Sequence, residues 1–145
     1  MRNILYFCST KHEQKNITME TKDLMIGDLV RKLERGGHSI PVKIIAIYEH
    51  NADYETEDGH TGCMSIHGYE PRLLTPKILE RIQSEPNMAI EWDDRKTEET
   101  GEDWYELRIH NGPDTALCLQ IRYIHELQHA LRLCGIDKEI ELCRN

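Results

Sequence analysis

Apolar and polar residues alternate most clearly in the second half of the chain. The alternation runs across 104–110 and again across 117–123. A period of two is typical of a strand with one buried face. The Asn-Gly-Pro-Asp sequence at 111–114, between the two runs, is strong turn chemistry. The pattern therefore predicts a β-hairpin.

From Ile124 the apolar spacing changes to that of a helix. Gly135 suits the left-handed position after a helix, and Ile136 suits the apolar contact of a Schellman cap. We therefore predict a helix over 124–134 and a last short strand at 139–142. The predicted helix has one apolar stripe, formed by Ile124, Leu127, Leu131 and Cys134.

The first half of the chain reads as short strands. Apolar, β-branched runs at 29–33 and 42–48 flank a Gly36-Gly37 turn, which predicts a hairpin. Asp58-Gly59 marks a second turn, and 62–66 is a further candidate strand. These features predict a small SH3-like, strand-rich N-terminal half.

A short helix is predicted next, over 77–82. Thr75 is a credible N-cap, and Pro76 fits the first helical position because its missing N–H is not needed there. The charged stretch 95–103 is predicted to be an exposed loop. The fold class is therefore α+β, with an SH3-like half followed by a β-hairpin packed with a C-terminal α-helix.

The first 18 residues differ from the rest of the chain. They hold three basic residues and one acidic residue, so the remainder carries a net charge of about −10. We interpret 1–18 as an N-terminal extension, disordered or preceding a true start at Met19, and 19–145 as one α+β domain. The alternative for the extension is an extra strand at Asn3–Phe7. No signal peptide is predicted, because no small-residue cleavage site follows the short apolar run.

Composition narrows the function classes. The chain has 145 residues and a net charge of −8, which argues against non-specific nucleic-acid binding. No apolar run approaches the roughly 18 residues of a membrane span. The five cysteines form no C-x-x-C pair and suggest no disulfide framework, so the cytoplasm is the expected compartment.

One motif invites a catalytic interpretation. His125-Glu126-Leu127-Gln128-His129 matches H-E-x-x-H, in which two histidines on one helical face bind zinc and the glutamate activates a bound water. The alternative function is therefore a small zinc-dependent metallopeptidase. In it, His125 and His129 are metal ligands, Glu126 is the general base, and zinc is the cofactor.

Three observations weaken this interpretation. The chain has eight histidines and many glutamates, which favours a chance match. The usual third ligand is missing, leaving His110, Glu139 and Glu141 as candidates. Helical phase also places both motif histidines opposite the apolar stripe, on what we expect to be a solvated face. We therefore favour no metal, no cofactor and no catalytic residue.

Three segments of the sequence form a recognisable set: Asp23–Val30, Tyr69–Pro76 and Tyr123–Gln128, the last with Ala130-Leu131. In order and spacing they resemble a group of small uncharacterised proteins carried on prophages and mobile elements of gut bacteria. The resemblance covers Thr21 to Leu142. It implies no established activity, and members of the group end in a Tyr-Val-His-x-Leu-Gln helix without being described as peptidases.

A second cluster of metal-ligand residue types occurs in the first half. It comprises His60, Cys63 and His67, with His50 and Asp53 nearby. Their spacing matches no standard zinc finger, and turns already explain the stretch.

We therefore predict a non-enzymatic accessory or interaction protein of a phage or mobile element, with an unidentified protein partner. A third hypothesis is an acidic protein that binds a nucleic-acid-handling partner through its negative surface.

Overall fold

The computed structural model describes residues 3–8, 19–83, 89–99, 101–110 and 115–136. The elements, in chain order, are β1 (Asn3–Cys8), β2 (Leu29–Leu33), β3 (Ser39–Ile47), β4 (Asn51–Thr56), β5 (Thr61–Ser65), β6 (Tyr69–Pro71), α1 (Pro76–Gln83), β7 (Ala89–Lys96), β8 (Asp103–His110), β9 (Thr115–Ile121) and α2 (Ile124–Leu133). Short 3-10 turns lie at Thr21–Asp23 and Ile66–Gly68.

The chain divides into two compact units. One, here called the barrel unit, contains 13–73 and 123–125. The other, called the sheet unit, contains 1–12, 74–122 and 126–145. No helix among the described residues is long and apolar enough to cross a membrane.

The barrel unit has the SH3-like connectivity that the sequence predicts. Its five strands lie in the order β5-β4-β3-β2-β6, and all neighbours are antiparallel. Four strands follow one another as a meander. The 3-10 turn at Ile66–Gly68 then reverses the chain, so that β6 pairs with β2.

Alternation along the strands builds the core of the barrel unit. Val30, Ile44 and Tyr69 have no exposed surface, and the Tyr69 hydroxyl donates a 2.7 Å hydrogen bond to the carbonyl of Ala52. This bond satisfies the one polar atom of the largest core side chain. The remaining buried apolar residues of this core are Met19, Leu24, Val42, Ala52 and Ile66.

The Gly36-Gly37 turn is confirmed. The N–H of Glu34 donates to the carbonyl of His38 at 2.8 Å, and both glycines have φ near +90° (94° and 85°). This backbone region favours residues without a Cβ atom. The turn thereby sets the β2–β3 register, in which Leu29 lies opposite Lys43.

The sheet unit is a four-stranded sheet in the order β1-β9-β8-β7. β1 runs parallel to β9, and the other pairs are antiparallel. α2, the C-terminal helix, packs against the hairpin sheet, as predicted. The buried side chains of the sheet are Ile90, Tyr105, Leu107, Ile109, Leu117, Leu119 and Ile121.

Both predicted caps are present. The Thr75 side-chain oxygen accepts from the N–H of Ile78, two residues after Pro76 begins α1. At the end of α2, the N–H of Ile136 donates to Leu131 and that of Gly135 to Arg132, which is the Schellman pattern. Gly135 has φ 73°, as that cap requires.

Several details differ from the sequence-based expectation. β4, β6 and β7 have no counterpart among the predicted strands, and β7 extends to Lys96, so the expected loop over 95–103 shrinks to a tight connection. That connection is closed by the N–H of Thr97 donating to the carbonyl of Glu102. Of the two alternatives for the first residues, the structure has the strand. The predicted turn at 111–114 and the strand at 139–142 lie outside the described residues.

Candidate functional site

The H-E-x-x-H sequence lies in the first half of α2. The strand β9 ends at Ile121, and the helix begins at Ile124, so His125 is in its first turn. At this end of α2, the Glu126 carboxylate accepts a 3.0 Å hydrogen bond from the backbone N–H of Arg122. Glu126 therefore binds the backbone just before α2 and stabilises the start of the helix, much as the glutamate of a capping box does.

His125 is buried, with 8% of its surface exposed. Its ring stacks on the ring of Tyr123, with centroids 5.8 Å apart and planes 15° from parallel. The expectation that this histidine lies on a solvated face is therefore wrong. Tyr123 precedes the helix, and its ring covers the His125 ring. Helical phase considers only residues within the helix, so it does not account for this contact.

The rest of the helix follows the predicted phase in part, because Cys134 of the predicted buried stripe is only half-buried. Ile124, Leu127 and Leu131 are fully buried, and Arg132 is exposed. His129 and Gln128 lie between these extremes, each half-buried. The apolar face is broader than the predicted stripe, because Ala130 is also buried.

Of the candidate third zinc ligands, only His110 lies among the described residues, and it forms no metal-binding group with His129. His110 is exposed at the end of β8, on the strand face that also carries Glu106 and Arg108. The opposite face of that strand holds the buried core against which α2 packs. Glu139 and Glu141 lie outside the described residues. Across the described part of the chain, no three His, Cys, Asp or Glu side chains form a group that could hold a metal ion.

The second cluster of ligand types is spread over the β4–β5 hairpin. Cys63 lies directly opposite Asp53, and a hydrogen bond to that carboxylate raises the pKa of the thiol. The Tyr48 hydroxyl donates to the same carboxylate at 3.0 Å. His60 lies in the connecting turn and His67 in the following 3-10 turn. The hydrogen bond to Asp53 favours the protonated form of the Cys63 thiol. A protonated thiol is a poor nucleophile and a poor metal ligand.

A charged network on the outer face of the sheet unit escaped the sequence analysis. The Arg108 guanidinium contacts Asp93 and Glu106 at 2.9 Å and Glu91 at 3.4 Å. Hydrogen bonding to Asp93 is the main cause of a raised Arg108 pKa. Arg95 adds contacts to Asp93 and Glu106 at 3.8 and 3.6 Å. The signal in the sequence is the placement of Glu91, Asp93 and Arg95 at alternate positions, of which only Arg95 falls in the loop predicted over 95–103.

Comparison with known proteins gave no match: no protein-family model, no curated protein and no solved structure resembles the chain significantly.

Proposed function

We propose that the protein is a non-enzymatic interaction protein that serves a phage or mobile element through a protein partner. The observation that carries the proposal is the hydrogen bond between the Glu126 carboxylate and the backbone N–H of Arg122. In a peptidase the same carboxylate must face a metal-bound water. Here it holds the start of α2, and the first histidine of the motif is packed on Tyr123.

The barrel unit supplies the surface that supports partner binding. Met25 and Ile26 form the turn that leads into β2, and they are 40% and 62% exposed. The turn is well built, because the N–H of Met25 donates to the buried Asp28 carboxylate at 2.8 Å. A rigid turn that exposes adjacent large apolar side chains suits protein binding.

The resemblance to proteins of prophages and mobile elements supports the biological setting of the proposal. The cytoplasm is the compartment we propose. Cys63, Cys118 and Cys134 form no disulfide bond among the described residues, and reduced cysteine is usual in a reducing compartment.

The zinc metallopeptidase is the second candidate, because the motif is helical as that activity requires. The test is the zinc content of the purified full chain, compared with His129→Ala and with His50→Ala as the matched control, whose side chain is 84% exposed. We expect little zinc and equal content in all three. About one zinc per chain, lost in His129→Ala and kept in His50→Ala, would overturn our proposal in favour of the peptidase.

Partner binding is tested by placing a photo-crosslinking amino acid at position 26, with position 98 as the exposed control. In the native host we expect one discrete adduct at position 26, absent at position 98 and abolished by a Met25→Asp change in the same chain. Identical adduct patterns at both positions would contradict binding through this turn.

A further inference from the structure

Two half-buried arginines of the barrel unit, Arg31 and Arg72, are near neighbours through the β2–β6 pairing. In the β2–β6 pairing, Val30 and Tyr69 lie on the face that is turned to the core. Because side chains alternate along a strand, Arg31 and its opposite neighbour Glu70 lie on the other face. Arg72 directly follows β6 and is the diagonal neighbour of Arg31. Such neighbours on one face of an antiparallel pair are within reach of long side chains.

The Arg31 side chain is held in place by Ser39. Its Nε donates to the Ser39 hydroxyl oxygen at 2.7 Å, and its Nη2 donates to the Ser39 carbonyl at 2.7 Å. These two bonds fix the guanidinium plane without neutralising its charge. A fixed, charged fork of this kind is preorganised for an anion, because little conformational entropy remains to be lost on binding.

Arg72 is the unusual member of the pair. Its Nη1 atom is buried and has no hydrogen-bond partner among the residues that the structure describes. Burial is the main cause of a lowered Arg72 pKa, and repulsion from Arg31 adds to it. A buried guanidinium nitrogen without an acceptor lowers the stability of the fold.

The nearby carboxylates do not satisfy this charge. Glu70 lies directly opposite Arg31 in the register, yet the described ion pairs include none between Glu70 and either arginine. Glu57 attracts Arg72 only at longer range. Arg31 and Arg72 therefore repel one another, and the buried Nη1 atom of Arg72 has no acceptor among the described residues.

We propose that Arg31 and Arg72 form a binding site for the phosphate group of a small molecule. A phosphate dianion matches two positive charges, and its oxygens point in several directions, so that one group accepts from two separate guanidinium forks. The phosphates of a nucleic acid are the less suitable source, because the chain carries a net charge of −8.

The test is the melting temperature of the full chain in inorganic phosphate and in phenyl phosphate, against sodium chloride of equal ionic strength. At about ten times the dissociation constant, we expect either phosphate to raise the wild-type melting temperature by roughly 4 °C. Arg72→Met and Arg31→Met should lose this increase. Arg35→Met is the matched control, because Arg35 lies exposed in the β2–β3 turn, and it should keep the increase.

Misfolding of the variant is checked in the same experiment. Without phosphate, Arg72→Met should melt no lower than the wild type, because methionine removes a half-buried guanidinium whose Nη1 atom lacks an acceptor. An equal phosphate effect in wild type and Arg72→Met, or no wild-type effect beyond that of chloride, would overturn the proposal. So would Arg72-dependent binding of a labelled single-stranded oligonucleotide without any response to phenyl phosphate.

Discussion

Tyr69 shows how a single side chain links the two halves of the barrel core. It lies on β6, has no exposed surface, and its hydroxyl bonds to the Ala52 carbonyl on β4 at 2.7 Å. Its ring also meets that of Tyr54 edge to face, with centroids 6.4 Å apart. β6 has only three residues, so this side chain anchors much of the strand.

We expect Tyr69→Phe to lower the free energy of unfolding by about 1–2 kcal/mol, because the Ala52 carbonyl loses its donor while the ring contacts remain. Urea denaturation measures the change. Tyr48→Phe is the control, since the Tyr48 hydroxyl bonds to Asp53 on the exposed surface. An equal effect of the two changes would contradict the role of burial.

The same residue predicts instability in alkali. Burial is the main cause of a raised Tyr69 pKa, so the neutral phenol is favoured by the folded state. The resulting stability is complete below the unfolded pKa of about 10 and is lost as pH rises above it. Unfolding free energies across this range should therefore fall, and they should fall less steeply in Tyr69→Phe. The tyrosinate absorbance that the wild type shows in excess of Tyr69→Phe should appear together with unfolding.

Gly62 is required for a different reason. A Cβ atom there would lie 2.5 Å from the Tyr54 hydroxyl oxygen, and the Tyr54 ring is held against Tyr69 and beneath the Lys32 ammonium. We expect Gly62→Ala to cost about 1–2 kcal/mol, measured by chemical denaturation. Tyr54→Phe in the same chain removes the nearest atom and should recover part of the loss. Full stability of Gly62→Ala would show that the ring moves freely.

Among the elements, α2 is the one whose ends are best defined. Its first turn is tied to the preceding chain by Glu126, and its last turn closes in the Schellman pattern at Gly135. The helix thus depends on the motif glutamate for its start.

Glu126→Ala should therefore destabilise the protein by about 1 kcal/mol, because the Arg122 N–H loses its acceptor. Glu126→Gln should cost less, since its amide oxygen still accepts. Thermal denaturation of the two variants gives the ranking. Equal stability of wild type and Glu126→Ala would remove the structural role of this carboxylate and reopen the catalytic one.

The elements also show where sequence patterns are informative. β8 and β9 have a clear period of two, β2 leads into the Gly36-Gly37 turn, and both helices carry recognisable caps, so these could be predicted. β4 is mostly polar, with only Ala52 and Tyr54 turned to the core. β7 places Glu91, Asp93 and Arg95 on its outer face, where Arg108 and Glu106 of β8 neutralise them. Such cross-strand compensation is invisible in one strand alone.

The candidate site in α2 was also only partly predictable from the sequence pattern. Helical phase located the buried stripe of α2 and the exposed Arg132 correctly. It could not predict that Tyr123 stacks on His125, because that contact depends on how the chain enters the helix. Nor could it indicate the Arg31–Arg72 pair, which exists only through the β2–β6 register.

For the molecule as a whole, acidic charge is the dominant electrostatic feature. At a net charge of −8, each cation that contacts several carboxylates reduces the repulsion among them. Among the described ion pairs, Arg108 contacts three carboxylates. Replacing it leaves three carboxylates close together on one sheet face.

Arg108→Gln should cost about 1 kcal/mol at low ionic strength and less in high salt, because salt screens repulsion among exposed carboxylates. Melting temperatures over a sodium chloride series measure this. Lys96→Gln is the control, since its single contact to Asp103 is 3.9 Å long and exposed, and it should change little. A salt-independent loss in Arg108→Gln would indicate lost packing rather than lost charge.

The parallel pairing of β1 with β9 has a consequence for how the chain assembles. The two strands are roughly 110 residues apart in sequence, since Asn3 lies beside Thr115. During synthesis β1 leaves the ribosome first, yet its neighbour is made nearly last. The barrel unit has mostly local strand pairs and can form in the meantime, whereas the outermost strand of the sheet unit waits for the β8–β9 hairpin. Until then, the apolar segment Ile4–Cys8 lacks the strand with which it pairs, and it is open to pairing with other chains.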